Sequence, residues 1–211
     1  MPIDEPFTAG FVVIRAGTHD VHDVRERLLK VTGVRVAHAL IGPDDLICYL
    51  ETYYPREFRI ALDKGVRKLV DEGLIEHTET MMILADEGEG YSGEENRPAP
   101  AAAWLFCDIS VGDPGPAAEK LKAIKGVVNA HSVIGRYDII AYVEAPSMDE
   151  LMRILDEDIR HVTEIRTTDT RLVLMKVTRA MPARNRDKQN PIGTKRPAAS
   201  DSTKSKKKTA R

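Results

Sequence analysis

The side chains equipped for chemistry are few and spread along the chain. His38 and His131 stand at matching positions 93 residues apart. They suggest either a metal pair or polar fillers where two sheets meet. His19 and His22 lie three apart at the mouth of a helix, but a zinc-type site needs a third or fourth ligand, and the simpler expectation is a solvated helix start. Cys48 and Cys107 fall within apolar runs, which points to buried thiols and not to a disulfide or a metal pair. The sequence offers no nucleophile with an adjacent base, no paired acid and base at a repeated position and no phosphate-binding glycine loop, so neither an enzyme nor a bound cofactor is expected.

These residues belong to a duplicated unit. The stretch Gly33 to Glu51 returns as Gly126 to Glu144, with ten of the nineteen aligned pairs identical, and self-similarity at a fixed period marks a repeated supersecondary unit. In the first copy Phe11 to Ala16 reads as a strand. Val21, Val24, Leu28 and Val31 then recur at helical spacing up to Gly33, a natural left-handed cap. Val34 to Ile41 and Asp45 to Glu51 are β-rich and joined by Gly42-Pro43-Asp44, a hairpin turn. Pro55 opens a second helix carrying Phe58, Leu62, Leu69 and Val70, and Thr78 to Leu84 closes the unit as a last strand.

The second copy repeats the order βαββαβ: strand Trp104 to Val111, helix Ala117 to Lys125 capped by Gly126, and strands Val127 to Ile134 and Asp138 to Glu144. Ser147 and Glu150 form a capping box at the second helix, Leu151, Ile154, Leu155 and Ile159 supply its apolar face, and Thr168 to Leu174 ends the sheet. Ile75, Thr78, Thr80 and Leu84 match Ile165, Thr168, Thr170 and Leu174 at an offset of 90, so the first copy holds three extra residues around its second helix.

Strand alternation then fixes what the copies do with each other. Leu46, Cys48 and Leu50 point one way and Ile47 and Tyr49 the other; the second copy gives Ile139, Ala141 and Val143 against Ile140 and Tyr142. Both faces are apolar. One is covered by the copy's own helices, so the other needs a second sheet, and the other copy is at hand. The expected class is α+β: two ferredoxin-like βαββαβ repeats forming an intramolecular pseudo-dimer of the dimeric α/β-barrel type, sheets face to face. The expected division is a first domain at 9–85, a linker at 86–100, a second domain at 101–178 and a disordered basic tail at 183–211.

The tail is electrostatically distinct. It carries ten Lys/Arg against two Asp/Glu, leaving 21 basic against 31 acidic groups in the first 182 residues. With almost no apolar side chains it cannot offset the entropy of ordering. Lys195, Arg196, Lys204, Lys206, Lys207 and Lys208 are candidate non-specific contacts to nucleic-acid phosphates. No apolar run approaches the roughly 20 residues that span a bilayer, and the start Met1-Pro2-Ile3-Asp4-Glu5 lacks the features of a secretory signal. A cytoplasmic protein without a membrane partner is expected.

The segments Gly126-Val127, Ile134-Gly135-Arg136-Tyr137-Asp138-Ile139-Ile140 and Thr168-Asp169-Thr170-Arg171-Leu172-Val173-Leu174 resemble the effector-binding domain of the leucine-responsive/asparagine-responsive (Lrp/AsnC) regulators, also called the RAM domain. The second copy matches from Trp104 to Leu174. The first, with Gly42-Pro43-Asp44-Asp45, keeps the glycine and second aspartate but loses the aromatic residue. The resemblance implies a sensor of amino acids or similar metabolites, with ligands held near the turn at an interface between dimers. It places the ligand set at Gly135, Arg136, Tyr137, Asp138, Thr168 and Thr170, and more weakly at Gly42, Asp45, Thr78 and Thr80. Turn amides or threonine hydroxyls would satisfy a ligand carboxylate and Asp138 its ammonium; alternatively Gly135 and Asp138 serve only the turn.

Members of that family usually carry an N-terminal helix-turn-helix. Here the first strand begins by about Phe11, so a stand-alone tandem of sensor domains is expected, acting through homo-oligomers, hetero-oligomers with Lrp/AsnC-type regulators or another partner. A non-catalytic scaffold with a nucleic-acid-associating tail is the alternative, and a cofactor-free monooxygenase-like enzyme of the same architecture the remaining one.

Overall fold

Eight strands and five α-helices carry the two repeats in the computed structural model, which describes residues 8–84 and 101–175. The linker 86–100 and the basic tail fall outside the described residues. In the first repeat the order is β1 (Thr8–Arg15), α1 (Val21–Leu28), β2 (Val34–Ile41), β3 (Leu46–Thr52), α2 (Pro55–Ala61), α3 (Arg67–Asp71) and β4 (His77–Ile83). In the second it is β5 (Ala101–Ile109), α4 (Gly115–Lys122), β6 (Val127–Ile134), β7 (Ile139–Ala145), α5 (Met148–Arg153) and β8 (Ile165–Met175).

Local sequence accounts for the helix ends. Asp20 caps α1 by accepting from the amide of His22, and Gly33 and Gly126 follow the first helices with φ of 95° and 102°, a region glycine enters without steric cost. Ser147 caps α5 through the amide of Glu150, but the Glu150 carboxylate turns to Arg153 instead of completing the box. Both second helices widen into a π turn, at Leu62–Val66 and Ile154–Asp158. Beyond it the first repeat continues as α3 whereas the second ends in the 3-10 turn Ile159–His161, and there the three-residue length difference is absorbed.

The strands close into one barrel in the order β1-β3-β2-β8-β5-β7-β6-β4, all pairs antiparallel. Each repeat contributes four neighbouring strands in the same internal order, so its sheet meets the other's at both edges. At one seam β2 pairs β8, with Leu40 opposite Val173 and Ile41 opposite Leu172; at the other β4 pairs β6, with Met82 opposite Ile134 and Ile83 opposite Val133. Both repeats lie in one compact unit.

Alternation divides the apolar residues into three cores. Leu46, Cys48 and Leu50 pack under the helices of the first repeat, and Ile139, Ala141 and Val143 under those of the second. Burial pushes both thiols, Cys48 and Cys107, up to about 12, which leaves them protonated and inert near neutrality. Phe11, Ile47, Tyr49, Trp104, Phe106, Ile140 and Tyr142 fill the barrel interior.

His38 and His131 sit inside that interior and settle against aromatics of the opposite repeat. His38 lies 5.9 Å from Trp104 and 5.3 Å from Tyr142, while His131 lies 5.9 Å from Phe11 and 6.5 Å from Tyr49. Phe11 corresponds to Trp104 and Tyr49 to Tyr142 in the repeat alignment, so the contacts are reciprocal. The indole of Trp104 donates to Nδ1 of His38 at 3.1 Å. The polar-filler reading describes these positions, and among the described residues no group of three or more His, Cys, Asp or Glu is arranged to hold a metal. His22 is likewise engaged, its Nδ1 2.8 Å from Arg25.

Trp104 is the largest fully buried side chain and touches both repeats. Trp104→Ala should cost about 3–5 kcal/mol, read as a shift of the urea unfolding midpoint; a loss under about 1 kcal/mol would show the interior is not the main support of the barrel.

Candidate functional site

The β2–β3 and β6–β7 turns emerge at the same positions of the two repeats, and each is tied down by its second aspartate. Asp45 accepts from the Ala16 amide at 2.7 Å and Asp138 from the Ile109 amide at 2.8 Å. Their own amides donate to Ile14 and Cys107 at 2.9 and 3.0 Å. Each aspartate thus clasps the turn to the end of its repeat's first strand. In each case one carboxylate oxygen accepts from the backbone, and Asp45 does in the turn that lacks the aromatic the same work as Asp138.

The glycines are spoken for as well. A Cβ on Gly42 would come within 2.8 Å of Cδ of Arg171, and one on Gly135 would run into Cγ of Met81. Arg171 and Met81 are matching residues of the two last strands at the offset of 90. In both turns, then, glycine is required because the other repeat's last strand packs there.

The threonines face away from this region. Thr78 and Thr80 lie opposite Ile14 and Val12, and Thr168 and Thr170 opposite Cys107 and Leu105. Those partners belong to the helix-side cores, and directly paired residues share a face. Glu79, Met81, Asp169 and Arg171 alternate with them and lie opposite Val13, Phe11, Phe106 and Trp104, on the interior side. A single pocket joining turn and threonines is therefore not what the fold assembles. The turns meet the interior-facing residues of β4 and β8 instead.

A charged network results, and it spans the repeats. Nε and NH2 of Arg171 donate to the two oxygens of Asp169, NH1 reaches Asp44 in the first turn, and the guanidinium lies 5.1 Å from the Phe106 ring. The Tyr137 hydroxyl donates to the same Asp169 at 3.1 Å, and its ring packs on Phe106 at 5.1 Å. The Arg171 hydrogen bond holds the Asp169 carboxyl below the ordinary aspartate range, and the two carboxylates raise Arg171. Desolvation first, then Asp169, raises Tyr137.

Arg136 stands outside this knot, 63% exposed, with a loose 3.7 Å contact to Glu79 and its guanidinium 5.3 Å from the Tyr137 ring. Asp44, Glu79, Asp169 and Arg171 were not singled out from the sequence. The available signal was the comparison of the last strands, where a charge at Arg171 replaces Met81. Lys195, Arg196, Lys204, Lys206, Lys207 and Lys208 lie outside the described residues.

Two outcomes follow for the turns. Asp138→Ala and Asp45→Ala should each cost about 1.5–3 kcal/mol, the range for a hydrogen bond to a charged group, measured by denaturant unfolding; equal, near-zero losses would mean the clasps are dispensable. The Asp169 contribution has a definite sign with pH. Its folded pKa is depressed, so its stabilisation is fully present above the unfolded value of about 3.9 and is lost as pH falls through the lower folded value. Melting of wild type against Asp169→Asn should give a constant difference above about pH 4 that narrows below it; a difference that widens in acid contradicts the assignment.

Residues 110–182 match the model of the Lrp/AsnC ligand binding domain. Among solved structures, a hypothetical protein from Pyrococcus horikoshii is 31% identical over 36% of this chain and 90% of that one, with a TM-score of 0.34. Escherichia coli AsnC is 21% identical over 61% of this chain and 78% of its own, with a TM-score of 0.37. The siroheme decarboxylase NirDL superposes with a TM-score of 0.62 over 83% of this chain and 74% of that one at 11% identity, a likeness of fold alone. No curated protein matches the sequence. Through its second repeat, the chain belongs to the Lrp/AsnC ligand binding domain family.

Proposed function

We propose that the chain is a tandem ligand-sensing module in which the two repeats take the parts of two subunits, and that it binds an amino acid or similar small metabolite at the second turn. Its output is the modulation of an Lrp/AsnC-type transcription regulator or another protein partner. The observation that carries this reading is the Arg136–Glu79 pair beside Tyr137. At 3.7 Å and with the Arg136 side chain 63% exposed and Glu79 30%, such a pair contributes about 0–1 kcal/mol, so opening it costs little. A zwitterion fits between its members, with the ligand carboxylate on the Arg136 fork and the ligand ammonium on Glu79. Tyr137 supplies the apolar wall. This places the ligand's two charges on side chains of the second turn and of β4, instead of on Asp138, Thr168 and Thr170.

A non-catalytic role goes with this reading. The barrel interior is lined by Phe11, Tyr49, Trp104, Phe106 and Tyr142, each at most 1% exposed, with apolar and aromatic groups in place of an acid–base pair. The scaffold reading draws support from the structural duties of Gly42, Gly135, Asp45 and Asp138, which explain the repeated residues without any ligand. The basic tail would then add non-specific attraction to nucleic acid.

A thermal-shift screen of the twenty amino acids and related metabolites separates the two. A ligand at 100 times its Kd adds about 2.7 kcal/mol, roughly 5–11 °C for a chain of this size. Arg136→Gln, a surface change, should abolish the shift while leaving the unliganded melting temperature in place. A screen without any shift favours the scaffold, and an undiminished response in Arg136→Gln moves the site elsewhere.

A further inference from the structure

The geometry points to a second cation site that the protein fills itself: Asp44 and Asp169 form a carboxylate pair built around a guanidinium, and Arg171 occupies it in cis, closing the first turn to ligands. The claim that the second turn is then the one open to a ligand rests on the function proposed above; the closed site does not.

The Arg171 side chain is 3% exposed and Asp44 14%. All three guanidinium nitrogens are engaged, two of them in a bidentate grip on Asp169 and the third on Asp44, and the cation is in contact range of Phe106. Bidentate carboxylate contacts plus an aromatic surface make up the arrangement that selects a guanidinium over a point-charge ammonium. Arg15 supplies the remaining balancing charge, its NH2 3.7 Å from Asp44 and its Nε donating to the Pro43 carbonyl at 3.2 Å.

The equivalent place at the second turn has none of this. Met81 replaces Arg171, Tyr137 replaces Asp44, and Glu79, in the place of Asp169, makes a long 3.7 Å contact to Arg136. A cation attached to the same chain competes at an effective concentration in the millimolar range or above, so a free cation has to outcompete it to enter. The first turn is thus occupied by the chain's own Arg171. Because the Tyr137 hydroxyl donates to the same Asp169, the filled site also braces the open turn.

The full chain carrying Arg171→Ala tests this with methylguanidinium chloride as the probe, at low millimolar concentration. Removing the buried member of this hydrogen-bonded charge set should lower the melting temperature by roughly 6–20 °C. Methylguanidinium should recover part of that loss in Arg171→Ala, methylammonium much less, and neither should stabilise wild type or the Arg171→Ala/Asp44→Asn double variant. If Arg171→Ala does not fold, Arg171→Met, which copies position 81 and keeps an apolar stem beside Phe106, is rescued by the smaller guanidinium ion. A melting temperature equal to wild type, or the same response to methylguanidinium with and without Arg171, overturns the proposal. For any metabolite found in the screen, calorimetry should give one site per chain; two sites would show the first turn to be open. A screen with no hit defeats the sensor reading and leaves the rescue result standing.

Discussion

Reciprocal packing inside the barrel is the constraint on which everything else rests. Each sheet has an apolar inner face that its own helices cannot reach, and a polar residue, His38 or His131, at its centre. An imidazole buried without a hydrogen-bonding or aromatic neighbour would be costly. Each histidine therefore needs the opposite sheet, and each sheet supplies a tyrosine with a phenylalanine or tryptophan at the matching place. The direct bond from Trp104 to His38 ties the two inner faces together, and register is further held because a one-residue slip in the pairing of a strand would turn its inner set outward.

That register decides what happens at the two seams. With the interior fixed, the last strand of each repeat must run past the other's hairpin turn, and the turn must have no side chain at the crossing. Gly42 and Gly135 meet that demand. The same crossing brings interior-facing residues of β4 and β8 to the rim, where Glu79, Asp169 and Arg171 meet Asp44, Arg136 and Tyr137. The site is thus a by-product of barrel closure.

Much of the fold was legible in the sequence because it is written in local patterns. Two-residue alternation in β3 and β7 and the glycines after α1 and α4 each depend on near neighbours, and the duplicated unit is visible on direct comparison of its two copies. β1, β5 and β8 run longer than the apolar runs suggest, to Thr8, Ala101 and Ile165, since their ends are held by partner strands and not by their own hydrophobicity. The site was legible only in outline. The turns stand where the repeat comparison places them, but the face on which each last-strand residue points depends on pairing between β8 and β5 or β4 and β1. That pairing puts Thr168 and Thr170 away from the turn and Asp169 and Arg171 toward it. Asp138 illustrates a different difficulty: a residue type able to bind an ammonium is equally able to bind a backbone amide, as it and its copy Asp45 do.

Joining two repeats in one chain permits something that two identical subunits cannot do. In a two-fold symmetric dimer every contact occurs twice, so an aspartate in the turn and an arginine in the last strand would appear at both seams, and both turns would be closed together. Here the aspartate is at one turn and the aromatic at the other, and the arginine is on β8 while β4 carries methionine. One seam then holds a buried arginine hydrogen-bonded by two carboxylates, a cation whose partners are costly to remove. The other keeps a long 3.7 Å contact between Arg136 and Glu79, with the arginine side chain mostly in solvent. A tightly paired charge set and a loosely held one make opposite demands on the same geometry, and a duplicated chain can meet each at a separate seam because its two halves are free to differ.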